Sequence, residues 1–465
     1  MGNEEKTRME NDLGRDDIRL LVRRIALPSM LAQFVSVLYS LVDRMYIGHI
    51  PEVGELALAG VGICGPVVTM IGSVASLVGV GGAPLMSICL GEGDEKGARA
   101  ILANCFLMLC LFSVVLMAAV IPLRRPMLLF FGASETTLPY ANEYFLYYMF
   151  GTVFALLAGG LNSFVVAQGF ARQAMMSVVL GAVMNILLDP LFIFVLDMGV
   201  RGAAIATVLS QTASCAYVLS FLFGWRAQIP ITFKGYSLST AGRVLTLGLT
   251  PFSIIAVDNV MIIAMNAVLQ RYGGIREGDL LITVATIVQS FMLVVTMPLG
   301  GISGGTQPIL GFNYGARRVD RVMSAQRRIF LWCLSYTSLM FVLARVAGPL
   351  FVRLFTTDPV VAEKAVWAIL TSCTLALIPL GLQYEIVDGF TAIGQVRFSW
   401  PLSFWRKTVY FASLFVLPAL FGVEAVFYAE AISDTVGALT SICIHACVMK
   451  KLLARRVTET DKGTP

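Results

Sequence analysis

Four polar residues sit inside long apolar stretches: Asp43 in LYSLVDRMYIG, Asn185 and Asp189 in GAVMNILLDP, and Thr207 in GVRGAAIAT. Asn185 and Asp189 are four apart, so a helix sets them on one face. Asp189 and Thr207 flank a turn expected at 197–199 at equal distance, which puts them at one depth. Asp43 is about six residues from the end of its own stretch, roughly 10 Å down at 1.5 Å per residue. Three helices then offer two carboxylates, an amide and a hydroxyl at one level. Such an oxygen-rich cluster suits a hard monovalent cation or a shared proton. Two plainer readings stay open. Asn185 and Asp189 can join neighbouring helices as packing contacts, and Arg44 can neutralise Asp43 locally.

The elements that position these groups follow from composition. Of 465 residues, 57% are hydrophobic and 14% charged, and the mean hydropathy is +0.80. About 20 apolar residues cross a bilayer as a helix, and backbone groups in lipid must pair within the chain. Apolar stretches run at 25–49, 56–90, 98–122, 140–168, 174–196 and 200–224, and again at 244–270, 280–311, 325–352, 365–393, 402–421 and 423–449. They carry no barrel-like alternation. The glycine-rich GVGG at 79–82 and GGISGG at 300–305 are expected to bend the two longest helices. The first span is expected to be uncleaved, because no short apolar core with a small-residue cleavage site follows residues 1–24.

Several function classes drop out. No GxxxxGK[ST], HExxH or nucleophile elbow occurs, which argues against an enzyme or an ATP-driven pump. The nine cysteines form no CxxC and fall in apolar segments, as small buried hydrophobes do. His49 and His445 have no ligand-spaced neighbours, so no zinc or haem cofactor is expected. The net charge of +5 is spread over short loops, with no basic run to track nucleic acid.

Loop charge sets an orientation. With the N-terminus inside, the cytoplasmic segments hold 25 of the 34 lysines and arginines, and the outer loops hold seven. Arg44 and Arg345 are assigned to spans. This asymmetry places both termini in the cytoplasm. The sequence also repeats itself. An offset of 223 sets Pro28 on Pro251, Asp43 on Asn266 and Gly199 on Gly422; offsets of 224 and 225 set Gly81, Pro84 and Gly91 on Gly305, Pro308 and Gly315, and Gly169 and Arg172 on Gly394 and Arg397. Six spans per half leave both halves in one orientation, as parallel repeats. The expected architecture is an all-α integral membrane protein of twelve transmembrane helices in two six-helix lobes. Its parts are a polar segment 1–24, a lobe 25–225, a linker 226–243, a second lobe 244–450 and a tail 451–465.

These residues resemble the multidrug and toxic compound extrusion (MATE) transporters along essentially the whole chain. The resemblance is carried by LVDRMYIG (41–48), LGEGDEKGARA (90–100), GAVMNILLDPLFI (181–193), GVRGAAIATVLSQ (199–211) and TQPILGFNYGA (306–316). It implies a V-shaped exporter that exchanges Na+ or H+ for cationic or amphipathic drugs or toxic metabolites. Asp43, Asn185, Asp189 and Thr207 match the family's cation site in the first lobe. Tyr39 and Asn162 match positions facing that lobe's cavity, and Pro28 matches a proline at which the first helix bends. In the second lobe Asp258 stands near the place of a working glutamate of some members, and Asn266 is the repeat partner of Asp43. Glu385 and Asp388, on the tenth span, align loosely.

The rival reading is a flippase for lipid-linked oligosaccharide or another lipid, from a related group with the same helical plan. Its cavity should be cationic, whereas only Arg44 and Arg345 are expected to lie deep. The expected partners are small molecules and membrane lipids, with the chain a monomer in a bacterial plasma membrane. The topology is testable in intact cells on a cysteine-free background. Ser134→Cys and Gly274→Cys should react with an impermeant thiol reagent, and Arg317→Cys and Arg455→Cys should not. Labelling at 455 would overturn the twelve-span arrangement.

Overall fold

A computed structural model describes residues 11–458 apart from Gly132, Trp225, Arg226 and Thr357, with side chains set aside at 55, 275, 276, 279, 372–375, 457 and 458. The expected terminal segment 1–10, Arg226 of the linker and the tail beyond 458 lie outside the described residues. Within them, all regular structure is helical. The first half holds α1 (Ile18–Gly48), α2 (Gly54–Glu92), α3 (Glu95–Phe130), α4 (Leu138–Phe150), α5 (Thr152–Ala167), α6 (Ala171–Pro190) and α7 (Gly199–Phe223). The second half holds α8 (Leu238–Gly315), α9 (Val319–Val346), the short α10 (Gly348–Arg353), α11 (Pro359–Ala392), α12 (Val396–Phe421) and α13 (Tyr428–Thr458).

Counting spans needs three adjustments. Gly274 (φ 66°, ψ −167°) turns α8 between two arms, Leu238–Gly274 and Leu280–Gly315. A bend of 57° at Gly151 joins α4 to α5 as one broken span, and α11 bends by 52° between Pro359–Thr371 and Ala376–Ala392. Nine helices among the described residues are long and apolar enough to cross a membrane, and the two bent spans make eleven. The twelfth is α12, 26 residues long, whose apolarity is diluted by Arg406 and Lys407. Twelve spans result.

The helices begin earlier than the apolar stretches because capping groups stand in the polar segments. Asp17 accepts from the backbone N–H of Arg19 (2.9 Å) and Leu20, and Ser237 accepts from Thr240. The polar linker is therefore helical from Leu238 onward. The glycine-rich runs do not break their helices: α2 and the second arm of α8 pass through 79–82 and 300–305 without interruption. Those glycines serve close packing instead. Pro28 likewise sits within a continuous α1.

The repeat is visible in the backbone. Left-handed residues recur in pairs at the repeat offset: Glu52 with Gly274, Gly93 with Arg317, Gly169 with Gly394, and Gly199 with Gly422. Both broken spans are the fourth of their half. Each half folds around its own core. Val78, Leu102, Leu109 and Phe164 anchor one part of the first, and Ile47, Phe145 and Met149 another. The second is built on residues such as Ile302, Leu310, Ile329 and Phe390. At the face where both described termini lie, the halves exchange the first turns of their leading helices. Leu21, Val22 and Ile25 of α1 enter the second core, and Val244 of α8 enters the first. Many large apolar side chains, among them Leu111, Val115, Leu187 and Phe421, point outward, as lipid-facing positions must.

Three features hold the halves together at the terminal face. A Cβ on Gly91 would collide with the carbonyl oxygen of Phe312, and a Cβ on Gly315 with that of Ile88. Ile88 and Phe312 are themselves repeat partners, so this contact is reciprocal about the pseudo-axis. Over it lies the segment before α1. Asn11 donates to Gly169 O (2.8 Å) in the first half, while Asn313 donates to Leu13 O (2.9 Å) and Arg321 to Asp16 O (2.9 Å) in the second. Arg456 of α13 also pairs with Glu92 of α2. Overpacking costs about 1–3 kcal/mol, so Gly91→Val should raise the population separated at this face by roughly 5- to 150-fold. The thiol-labelling rate of Cys89 on the adjacent turn of α2 measures this, with the other cysteines replaced. Gly62→Val, where a Cβ meets nothing within 4 Å, should leave the rate unchanged.

Candidate functional site

The fold brings the four polar residues of the first lobe together. Asn185 and Asp189 sit one turn apart on α6, and Asn185 Nδ2 donates to Asp189 Oδ1 (3.1 Å) and to Thr207 Oγ1 on α7 (3.4 Å). Asp43 comes in from α1, its carboxyl within hydrogen-bonding range of Asp189. Asp189 is fully buried and Asn185 nearly so. The outer turn forms where expected, with Asp197 and Gly199 both left-handed. A single π turn, Leu191–Val195, follows Pro190. Arg44 is exposed and makes no ion pair with Asp43 among the described residues, so its charge acts on Asp43 only through space.

Three buried oxygens in this cluster lack a hydrogen-bond partner: Asp43 Oδ1, Asn185 Oδ1 and Asp189 Oδ2. An unpartnered buried oxygen costs about 1–3 kcal/mol, and two facing carboxylates add repulsion. The donor set is two carboxylates, an amide oxygen and a hydroxyl. One small hard cation can satisfy that set, and one proton between the carboxyls removes the repulsion between them while leaving Asn185 Oδ1 unpartnered.

A cavity of about 340 Å³ opens beside the cluster, lined by Tyr39 of α1, Asn162 of α5, Asn185 of α6 and Thr207 and Gln211 of α7. Asn162 spends its amide N–H groups on Ala174 O (2.9 Å) and Ser177 Oγ (2.6 Å), which ties α5 to α6. Asn185 and Thr207 belong to both the cluster and the cavity. Gln211 was not legible as a site residue, yet its Oε1 is buried without a partner. Its spacing of four from Thr207 was the available signal. A second cavity, about 200 Å³, lies between the lobes where Ser29 and Gln33 of α1 face Gly304 and Gln307 of α8.

In the second lobe the residues separate. Asp258 on α8 lines a cavity of about 250 Å³ and is paired with Lys407 of α12. Asn266, two turns further along α8, lies outside that cavity's lining. Asp388 is within hydrogen-bonding range of Ser303 and Gln307. Glu385 is buried, within hydrogen-bonding range of Gln326 and with no ion pair among the described residues. The expectation that only Arg44 and Arg345 lie deep is corrected. Both side chains lie on the outer surface of the bundle, with Arg345 stacked over Phe341 at 4.6 Å near the end of α9. The cations buried inside the bundle are Arg406 and Lys407, which loop-charge counting had assigned to a cytoplasmic segment. Two adjacent charges inside the 402–421 stretch were the overlooked signal.

The sequence profile of the MatE family matches residues 28–191 and 255–400, which takes in most of both halves. Among curated proteins, the multidrug export protein MepA of Staphylococcus haemolyticus is 23% identical over 431 residues, covering 92% of this chain and 93% of that one. Among solved structures, the fold matches an outward-facing multidrug resistance MATE family transporter of the MOP superfamily with a TM-score of 0.89, 22% identity and coverage of 98% and 100%. It also matches a MOP superfamily transporter from Pyrococcus furiosus, for which a binding pocket of reverse polarity is taken to suggest a different function (TM-score 0.89, 23% identity, coverage of 97% and 99%). With its profile in both repeats and its twelve helices in this arrangement, the chain belongs to the MatE family.

Proposed function

We propose that this chain is a secondary active multidrug efflux transporter, which expels amphipathic cations in exchange for Na+ or H+. In this reading it works as a monomer in the bacterial plasma membrane, with both termini in the cytoplasm. One observation carries the proposal: Asn185 and Thr207 are shared between an oxygen cluster with three unpartnered buried oxygens and the cavity beside it. A cation drawn into the cluster recruits the oxygens of Asp43, Asn185, Asp189 and Thr207. That pulls α1 toward α6 and α7 and narrows the cavity they line. A drug in the cavity instead meets Tyr39, Asn162 and Gln211, with the cluster empty. Each ligand then favours a different packing of the same three helices, which is what a gradient needs to drive a rearrangement. The relatives named as multidrug exporters support the substrate class.

The test is ethidium efflux from proteoliposomes under an imposed Na+ or H+ gradient. Asp189→Asn keeps the shape and buries a neutral amide in place of a carboxylate, so the protein should still insert and fold. It can neither titrate nor present two acceptor oxygens. Driven efflux should fall by about two orders of magnitude, the size of a coupling free energy near 3 kcal/mol. Asp43→Asn should behave alike, and Thr207→Ala more mildly because water replaces a hydroxyl. Wild-type efflux by Asp189→Asn would make the cluster a packing feature.

A further inference from the structure

The cavity of the second lobe is the repeat counterpart of the one in the first, with its chemistry replaced. α8, α12 and α13 stand where α1, α6 and α7 stand in the first half. At an offset of 225, Gly181 and Ala182, which line the first cavity, become Arg406 and Lys407, which line the second. At an offset of 223, Thr207 becomes Glu430, which also lines it. A polar cavity without formal charges inside one lobe has become a charged one inside the other.

The charges do not cancel. Arg406 binds Asp434 at 2.6 Å, with the carboxylate fully buried. Lys407, with 7% of its side chain exposed, pairs with Asp258, whose side chain is 45% exposed and faces the cavity. Glu430 has no ion pair among the described residues, so three acids stand against two bases. Apart from Gln289 and Thr296, the rest of the wall is apolar or aromatic. Met261, Met265 and Met292 offer adaptable surface, and the Tyr384 and Tyr410 rings offer faces that attract a cation.

We propose that this cavity is a second ligand site, for an amphipathic monocation such as an organic ammonium, and that Lys407 is its resident counter-cation. The ligand's charge sits between Asp258 and Glu430, its apolar body lies on the methionines, and the Lys407 ammonium is displaced from Asp258. The class of ligand rests on the export reading above; the location does not.

The experiment measures ethidium binding to the purified full-length chain in detergent by fluorescence anisotropy, with an uncharged amphipathic dye as control. Glu430→Gln and Asp258→Asn should each weaken ethidium binding about tenfold, and Lys407→Gln should tighten it about tenfold. The uncharged dye should bind all forms alike, which a merely structural effect would not spare. If Lys407→Gln does not fold, the two acid variants decide alone. Unchanged ethidium affinity in both, with binding lost in Tyr39→Ala, overturns the second site and leaves the export reading standing. No ethidium binding by any form overturns both. Binding that follows the expected pattern without gradient-driven efflux sustains this site and removes the export reading.

Discussion

A carboxylate inside a membrane bundle has to be balanced by something nearby, because lipid offers no water to do it. Both lobes are organised around that constraint and answer it differently. The first lobe sets Asp43 and Asp189 against neutral partners, Asn185 and Thr207, and leaves three oxygens open. Under the proposed function its balance comes from an exchangeable ion. The second lobe ties Asp434 to Arg406 and Asp258 to Lys407. Its balance is covalently attached to the chain. One scaffold, repeated, thus holds one site that depends on the ions of its surroundings and one that largely supplies its own.

The exchanged first turns of α1 connect the ion cluster to the closure between the lobes. Asp43 belongs to the first lobe, but Leu21, Val22 and Ile25 at the other end of the same helix lie in the second lobe's core. From Ile25 to Asp43 is about 27 Å of helix at 1.5 Å per residue. Pro28 interrupts the backbone ladder close to the crossing, since it has no N–H to donate. A displacement of Asp43 toward Asp189 is therefore borne by a helix anchored in the opposite lobe. Beside that anchor, Gly91 and Gly315 allow α2 and α8 to touch backbone to backbone. Such a contact is either closed at van der Waals distance or open, with little in between.

Much of this was legible in the sequence, for physical reasons. Membrane helices announce themselves because lipid demands length and apolarity, and the one that announces itself least, α12, is the one that carries Arg406 and Lys407. The first-lobe cluster could be assembled from helix periodicity and equal depth from a turn, since every step stays within neighbouring elements. What failed was different in kind. Glycines at 79–82 and 300–305 could be read for bending but not for the close approach they make, which a glycine in lipid serves as readily. The exchanged turns of α1 and α8 were invisible, because pairing across lobes leaves no local pattern. Arg406 and Lys407 were counted as loop cations because their partners, Asp434 and Asp258, are 28 and 149 residues away.

The second-lobe cations also bear on how many ions a cycle can use. An ion-driven step needs a site whose charge changes between states, and a carboxylate with a tethered ammonium beside it changes little when bulk cations come and go. Asp258 and Asp434 are of that type. Asp43 and Asp189 are not, having no cationic side chain paired to either among the described residues. Glu385 is buried beside Gln326 and lines none of the cavities described above. The repeat therefore does not imply two equivalent coupling sites. At an offset of 223 Asp43 becomes Asn266, and at offsets of 223 to 225 Asp189 falls on Ala412, Ser413 or Leu414, none of them an acid. Asp43 and Asp189 thus have no carboxylate at the repeat positions, and the asymmetry of the two lobes lies in side chains at equivalent positions of one shared backbone plan.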